Sequence, residues 1–338
     1  MKQPIPYTKM LAEAKNSKGA TGLGLELLKF LMVFFVIQMI QGIPTTIATA
    51  IWLFTSEEVM SEIMNAASSG LSAEYIDTVM QAVSATPPWL MVVQLFSTVI
   101  ATVIAILFCL WIEKRKPASM GLCRGGAFKE YLVGAGVGIA LISLCVGLAA
   151  AFGSFSFALV SFPVGLWIAY LIGFLIQGMS EEVLCRGYLM ISITRKNSIP
   201  LAVAANAVMF ALLHIFNPGI GIIPLVNIAL FGAFASVYAL KRGNLWGVCA
   251  AHSLWNFFQG NVFGISVSGM GVSVSPLQAT LQNENAWLHG GAFGIEGGIV
   301  TTLILSLALL AALLYLPAKQ DEVAENVVEN DLESNDFM

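Results

Sequence analysis

The chain has 338 residues, 57% of them hydrophobic and 11% charged, with a mean hydropathy of +0.82 and a formal net charge of −4. A soluble domain carries roughly 25% charged residues, so this composition excludes a soluble protein with one anchor and predicts an all-α, polytopic membrane helical bundle. The net charge says little about partners because much of the acid lies beyond Lys319, and no nucleic-acid partner is expected.

In chain order, residues 1–22 form a polar N-terminus, too long before its first apolar run for a secretory signal. That run is long enough to span a bilayer and is expected to be retained. A transmembrane helix needs about 20 apolar residues, and eight segments meet this: roughly 23–54, 88–112, 131–152, 157–190, 199–216, 220–240, 245–262 and 294–317. The first is expected to tilt or break near Gly42-Ile43-Pro44, because proline removes a helix hydrogen bond. The segments group into N-terminal helices (23–152), a helical core (153–262) and a last span (294–317). Loop 55–87 is acidic, and its stretches EEVMSEIMNAA and AEYIDTVMQAV read as short amphipathic helices on the outer surface. Loop 263–293 is rich in Gly, Ser and Asn and is expected to be a mobile cap, and the acidic tail 318–338 to be disordered. Gly134/Gly138 and Gly290/Gly294 have the spacing of close helix approach. Cys109, Cys123, Cys145, Cys185 and Cys249 lie mostly in apolar segments without a CxxC pair. They read as buried small hydrophobes rather than a disulfide framework or metal site.

Lys and Arg set orientation. They occur at 2, 9, 15, 18 and 29, at 114–116, 124 and 129, at 186, 195 and 196, at 241 and 242, and at 319. Eight spans with the N-terminus inside put all of these at the inner side and both termini in the cytoplasm. The loops at 55–87, 153–156, 217–219 and 263–293 then face outward, and none holds a Lys or Arg.

Ionisable groups within apolar helices are costly and face the bundle interior or a wet cavity. Three helices carry them: Glu181, Glu182 and Arg186 in GMSEEVLCRGYL, Phe210 and His214 in FALLHIFNP, and His252 and Asn256 in AHSLWNFFQG. The fourth and fifth segments make a hairpin turning near RKNSIP. At 1.5 Å per residue, Glu181 lies about 21 Å and His214 about 27 Å from the turn, and His252 about 15 Å past Arg242. Glu181 and His214 should share a depth, with Asn256 one turn beyond His252 on the same face. A carboxylate in a low-dielectric site suits a general base acting on water. Imidazoles bind a metal or hydrogen-bond that water, and an amide donates to a developing oxyanion. Arg186, one turn after Glu182, can pair with it and leave Glu181 free. Phe210 reads as packing. Gln177, Asn206 and Asn227 read as helix–helix glue, Trp246 and Trp255 as packing or interface residues, and His289 has no expected role.

The ordered set EExxxR (Glu181, Glu182, Arg186), FxxxH (Phe210, His214) and HxxxN (His252, Asn256) resembles the CPBP family of intramembrane proteases, the CAAX-prenyl-protease and bacteriocin-processing family also called Abi. The resemblance covers about 155–262 and leaves the flanking spans and loop 55–87 unexplained. It implies an endopeptidase cleaving within or next to the membrane, with a peptide or membrane-protein substrate and the bilayer as partners, in a bacterial plasma membrane. It implies that Glu181 activates the water and that Glu182 supports it, held by Arg186. His214 and His252 would position that water or a divalent metal such as zinc, and Asn256 would stabilise the oxyanion. HExxH is absent, which excludes a zincin-type site. Two other classes fit buried Glu and His: a proton-coupled transporter, and a non-catalytic immunity or peptide-binding protein.

Overall fold

The structure, a computed structural model, describes residues 8–69, 86–282 and 285–318. Each expected apolar segment becomes a helix. A short α1 (Lys9–Lys15) precedes α2 (Leu23–Thr55), α3 (Glu57–Ser69), α4 (Pro88–Trp111) and α5 (Ala127–Ala151). Strand β1 (Phe155–Leu159) leads to α6 (Val164–Thr194), α7 (Ile199–Leu212), α8 (Ile222–Arg242) and α9 (Trp246–Asn261). Strand β2 (Leu277–Leu281), α10 (Ala286–His289) and α11 (Ile299–Leu314) complete the described chain. The result is a polytopic helical bundle. Helix α2 runs unbroken through Pro44, so the expected interruption is absent; the freed carbonyl lies in a helix whose other turns are intact.

Among the described residues, five helices (α2, α4, α5, α6 and α8) are long and apolar enough to cross a membrane. The other three expected spans are shorter: α7 has 14 residues, and α9 and α11 have 16 each. That is about 21–24 Å of helix against a hydrocarbon core of about 30 Å. Irregular backbone completes their length, at 213–219 after α7 and 291–298 before α11. The stretch before α11 is mostly buried, as irregular backbone at membrane depth requires, whereas 213–219 is mostly exposed. The fourth segment is also corrected at its start. Residues 155–159 do not begin the helix but pair antiparallel with β2, Phe155 opposite Leu281 and Leu159 opposite Leu277; α6 begins at Val164 after Pro163.

Loop 263–293 is not a loose cap. Asn217 Nδ2 donates to the Ser268 carbonyl at 2.9 Å, and the backbone N–H and hydroxyl of Ser268 both donate to Glu296 Oε2. Here Gly290 (φ +79°) and Gly294 (φ +92°) build tight turns rather than a helix contact. His289 is buried in the same region, its Nδ1 accepting from the Gly291 N–H. In loop 55–87, the expected helix EEVMSEIMNAA is present as α3, whereas AEYIDTVMQAV and the acidic tail lie outside the described residues.

The glycines of α5 do work as expected. A Cβ on Gly134 would lie 1.9 Å from the Gly247 carbonyl oxygen, and one on Gly138 2.1 Å from that of Ala251. From the other side, a Cβ on Gly178 of α6 would lie 2.3 Å from Ser253 Oγ. Helix α9 is therefore gripped between two helices at backbone contact. Asn206 bonds Ser236 between α7 and α8, and Asn227 donates to the carbonyls of Glu296 and Gly298, so both act as glue. The five cysteines are free thiols.

The cation-bearing connections meet at one end of the bundle. Arg195 pairs with Glu113, which also takes Lys29; Lys116 pairs with Glu13, and Arg242 with Glu130. Buried Arg115 donates to the Gly187 and Tyr188 carbonyls and to Ser192 Oγ.

Candidate active site

Helix α6 changes winding at the point where it carries charge. Val183–Met190 is a π-helical segment directly after Glu182. Such segments loosen the backbone ladder and are frequent at functional sites. The guanidinium of Arg115 bonds two of its carbonyls from outside, which holds the irregular stretch in place.

Glu182 and Arg186 face inward and are fully buried, with Arg186 Nη1 3.0 Å from Glu182 Oε1. A buried charge needs a partner and further hydrogen bonds. The same Oε1 lies 2.8 Å from His252 Nδ1. A carboxylate only accepts, so Nδ1 carries the proton and His252 Nε2 is left with its lone pair when the ring is neutral. The Arg186 guanidinium also lies 4.2 Å from the centre of the Phe210 ring, a cation–π contact. Phe210 meets His214 and His252 edge to face, at 4.9 and 6.1 Å between ring centres. Packing is thus its role, and the packing joins three members of the motif set.

Glu181 is half-buried, one residue along and on another face. Its Oε1 accepts from Gln177 Nε2 at 2.5 Å. Its Oε2 is 3.7 Å from His252 Nε2 and has no hydrogen-bond donor among the described residues. Two acceptors therefore face each other, and a water, with two O–H donors, satisfies both. Gln177 turns its carbonyl to Asn256, whose Nδ2 donates at 3.0 Å. This residue, read from sequence as glue, ties the carboxylate to the asparagine; its position one helical turn before Glu181 is the signal that marks it. His214 Nδ1 donates to the Phe210 carbonyl at 2.8 Å, leaving Nε2 unused.

Glu181, His214, His252 and Asn256 line one cavity of about 260 Å³. Its far wall comes from α2 and α4, and its end is covered by Val267, Ser268 and Met270. A smaller cavity of about 30 Å³ shares Phe210, His214, His252 and Asn256 with it and adds Asn227 and Glu296. That is room for one or two waters. Ser268 and Glu296, in the region expected to be a loose cap, thus belong to the surroundings of the site.

Among the described residues no group of three His, Cys, Asp or Glu is arranged to hold an ion. His252 Nδ1 and His214 Nδ1 are both committed to hydrogen bonds, so any metal would have to be held through the two Nε2 atoms, with Glu181 Oε2 beside that of His252; an Nδ1–H donated to a carboxylate or carbonyl is compatible with that.

Residues 163–258, from the start of α6 into α9, match the family model described as type II CAAX prenyl endopeptidase, Rce1-like. The match holds all seven motif residues and lies within the segment 155–262 in which the resemblance was expected. No curated protein matches the chain.

Proposed function

We propose that this chain, whose residues 163–258 belong to the CAAX-protease family, is an intramembrane endopeptidase that hydrolyses a peptide bond with a water activated by Glu181. The observation that carries the reading is the facing pair, Glu181 Oε2 and His252 Nε2, 3.7 Å apart in the wall of a cavity.

A water between them donates one hydrogen to Glu181 and the other to His252, so its oxygen lone pairs point at the substrate. As that oxygen attacks the scissile carbonyl carbon, its proton passes to Glu181 Oε2. The carbonyl oxygen becomes an oxyanion, which the second N–H of Asn256 Nδ2 and His214 Nε2, when that ring is protonated, are able to receive. The C–N bond then breaks, and the Glu181 carboxyl returns its proton to the departing nitrogen. One peptide and one water become a carboxylic acid, which keeps the water's second proton until it ionises, and an amine. Glu182, bonded by Arg186, keeps the proton of His252 on Nδ1, so that Nε2 stays an acceptor.

The clustering of the cationic connections at one end supports a multi-pass orientation with both termini in the cytoplasm. A single turnover in H₂¹⁸O tests the chemistry. Direct attack puts one ¹⁸O in the new carboxylate; a first-turnover product without ¹⁸O would mean that a side-chain carboxylate attacks instead.

A further inference from the structure

The wall opposite Glu181 lies outside the family-matched segment, and its chemistry is unusual for membrane helices. Helix α2 between Phe30 and Gly42 is apolar except for Gln38 and Gln41. Three residues apart, they share one face, and both line the cavity beside Phe34 and Ile37. On α4, Gln94 lines it from a second helix, with Met91, Leu95 and Thr98 on the same face. None of these three amides has a hydrogen-bond partner among the described residues. Elsewhere in the bundle the amides of Gln177, Asn206, Asn227, Asn256, Gln259 and Asn261 all have one. Gln38 and Gln94 are exposed and Gln41 is half-buried, whereas the paired amides are mostly buried; on apolar membrane helices, where water is scarce, three open amides on one cavity wall point to a polar occupant.

We propose that Gln38, Gln41 and Gln94 form a peptide-backbone clamp that holds an extended, neutral, apolar substrate segment across from Glu181. It rests on the hydrolase reading only in calling the occupant a substrate. A primary amide both donates and accepts, so each pairs with one peptide unit, N–H to carbonyl oxygen and C=O to amide hydrogen. An extended strand leaves its main-chain groups open to such pairing, as in strand-addition recognition. The clamp's groups are uncharged, which fits peptide units rather than an ionised terminus. Phe34, Ile37, Met91 and Leu95 between them offer apolar sites for alternate side chains.

The test is binding of a short fluorescent, end-capped Leu/Val/Ala peptide to the purified full chain carrying Glu181→Gln, which prevents turnover. Its counterpart is N-methylated at alternate residues, keeping the side chains but removing amide donors. The expected result is that methylation weakens binding about tenfold or more. The triple variant Gln38→Leu/Gln41→Leu/Gln94→Leu then binds the parent peptide as weakly as the methylated one. Equal binding of the two peptides to the protein with its glutamines intact, retained discrimination in the triple variant, or no peptide binding would overturn the clamp. The methylation comparison needs no substitution in the groove, and the single variants Gln41→Leu and Gln94→Leu guard against misfolding of the triple. Discrimination by a protein that cleaves nothing with Glu181 in place would leave the clamp standing and remove the hydrolase reading.

Discussion

Arg186 is the residue on which the buried charge balance turns. It is fully buried, pairs with Glu182 and covers the Phe210 ring. Arg186→Leu leaves the Glu182 carboxylate buried with only His252, and removing one partner of a buried pair costs about 3–5 kcal/mol. Thermal unfolding in detergent should show a large fall in Tm. Arg186→Lys should recover part of it, because an ammonium keeps the charge but not the planar contact with the ring. Gln177 acts through Glu181 and Asn256, so it is a positioning residue. Gln177→Leu should lower kcat about ten- to a hundredfold with KM nearly unchanged, and Gln177→Glu should not rescue it, since a carboxylate cannot donate to Glu181. A purely structural role would move Tm and leave no such split. Glu181, Glu182, Arg186, His214 and His252 stood out in the sequence because ionisable groups in an apolar helix are rare, and Phe210 and Asn256 only through their spacing from the two histidines. Gln177 did not, since a lone amide in such a helix carries the same signal whether it glues helices or orients a carboxylate. Ser268 and Glu296 were missed because their Gly/Ser-rich surroundings read as a mobile loop.

Between elements, the site depends on how closely α5 and α6 grip α9. A Cβ at Gly138 meets backbone at 2.1 Å, whereas one at Gly136, half a turn away, meets nothing within 4 Å. Gly138→Val should therefore push α9 outward, lower Tm and reduce kcat/KM by about a hundredfold or more, since displacements of about 1 Å at a catalytic group have that effect. Gly136→Ala should leave activity unchanged and hold or slightly raise Tm, because alanine is about 0.5–1 kcal/mol better than glycine inside a helix. Helix existence was legible from apolar length, and the Gly134/Gly138 contact from spacing. The π segment was not. VLCRGYLM carries no local sign of i→i+5 bonding, which is decided by packing and by Arg115 binding its carbonyls from the connection after α4. The β1–β2 ribbon was hidden because FSFAL joins directly to the apolar run of α6, and only Pro163 marks the boundary.

For the whole molecule, the distribution of Lys and Arg foretold which connections gather together, since the positive ends must meet on one side of the bilayer. Which helices face each other across the cavity was not legible: apolar faces of α2 and α4 could pack on any neighbour, and only the fold sets them opposite Glu181. With both termini inside, a single cysteine at Asn16 should react with an impermeant maleimide only in inside-out vesicles, and one at Trp287 only in right-side-out vesicles. Labelling of both from the same side would contradict that topology and put an even number of crossings between them.

Hydrolysis by a Glu181-activated water is the central claim, and the most direct measurement is kcat for peptide cleavage by purified wild type and Glu181→Gln, each with and without a divalent-metal chelator. General-base removal costs about 10²–10⁴ in rate. The expected result is a fall in that range on mutation with Tm held, and no change on chelation. Cleavage by Glu181→Gln at the wild-type rate would contradict the account, and loss of wild-type activity on chelation would replace its unaided water with a metal-bound one.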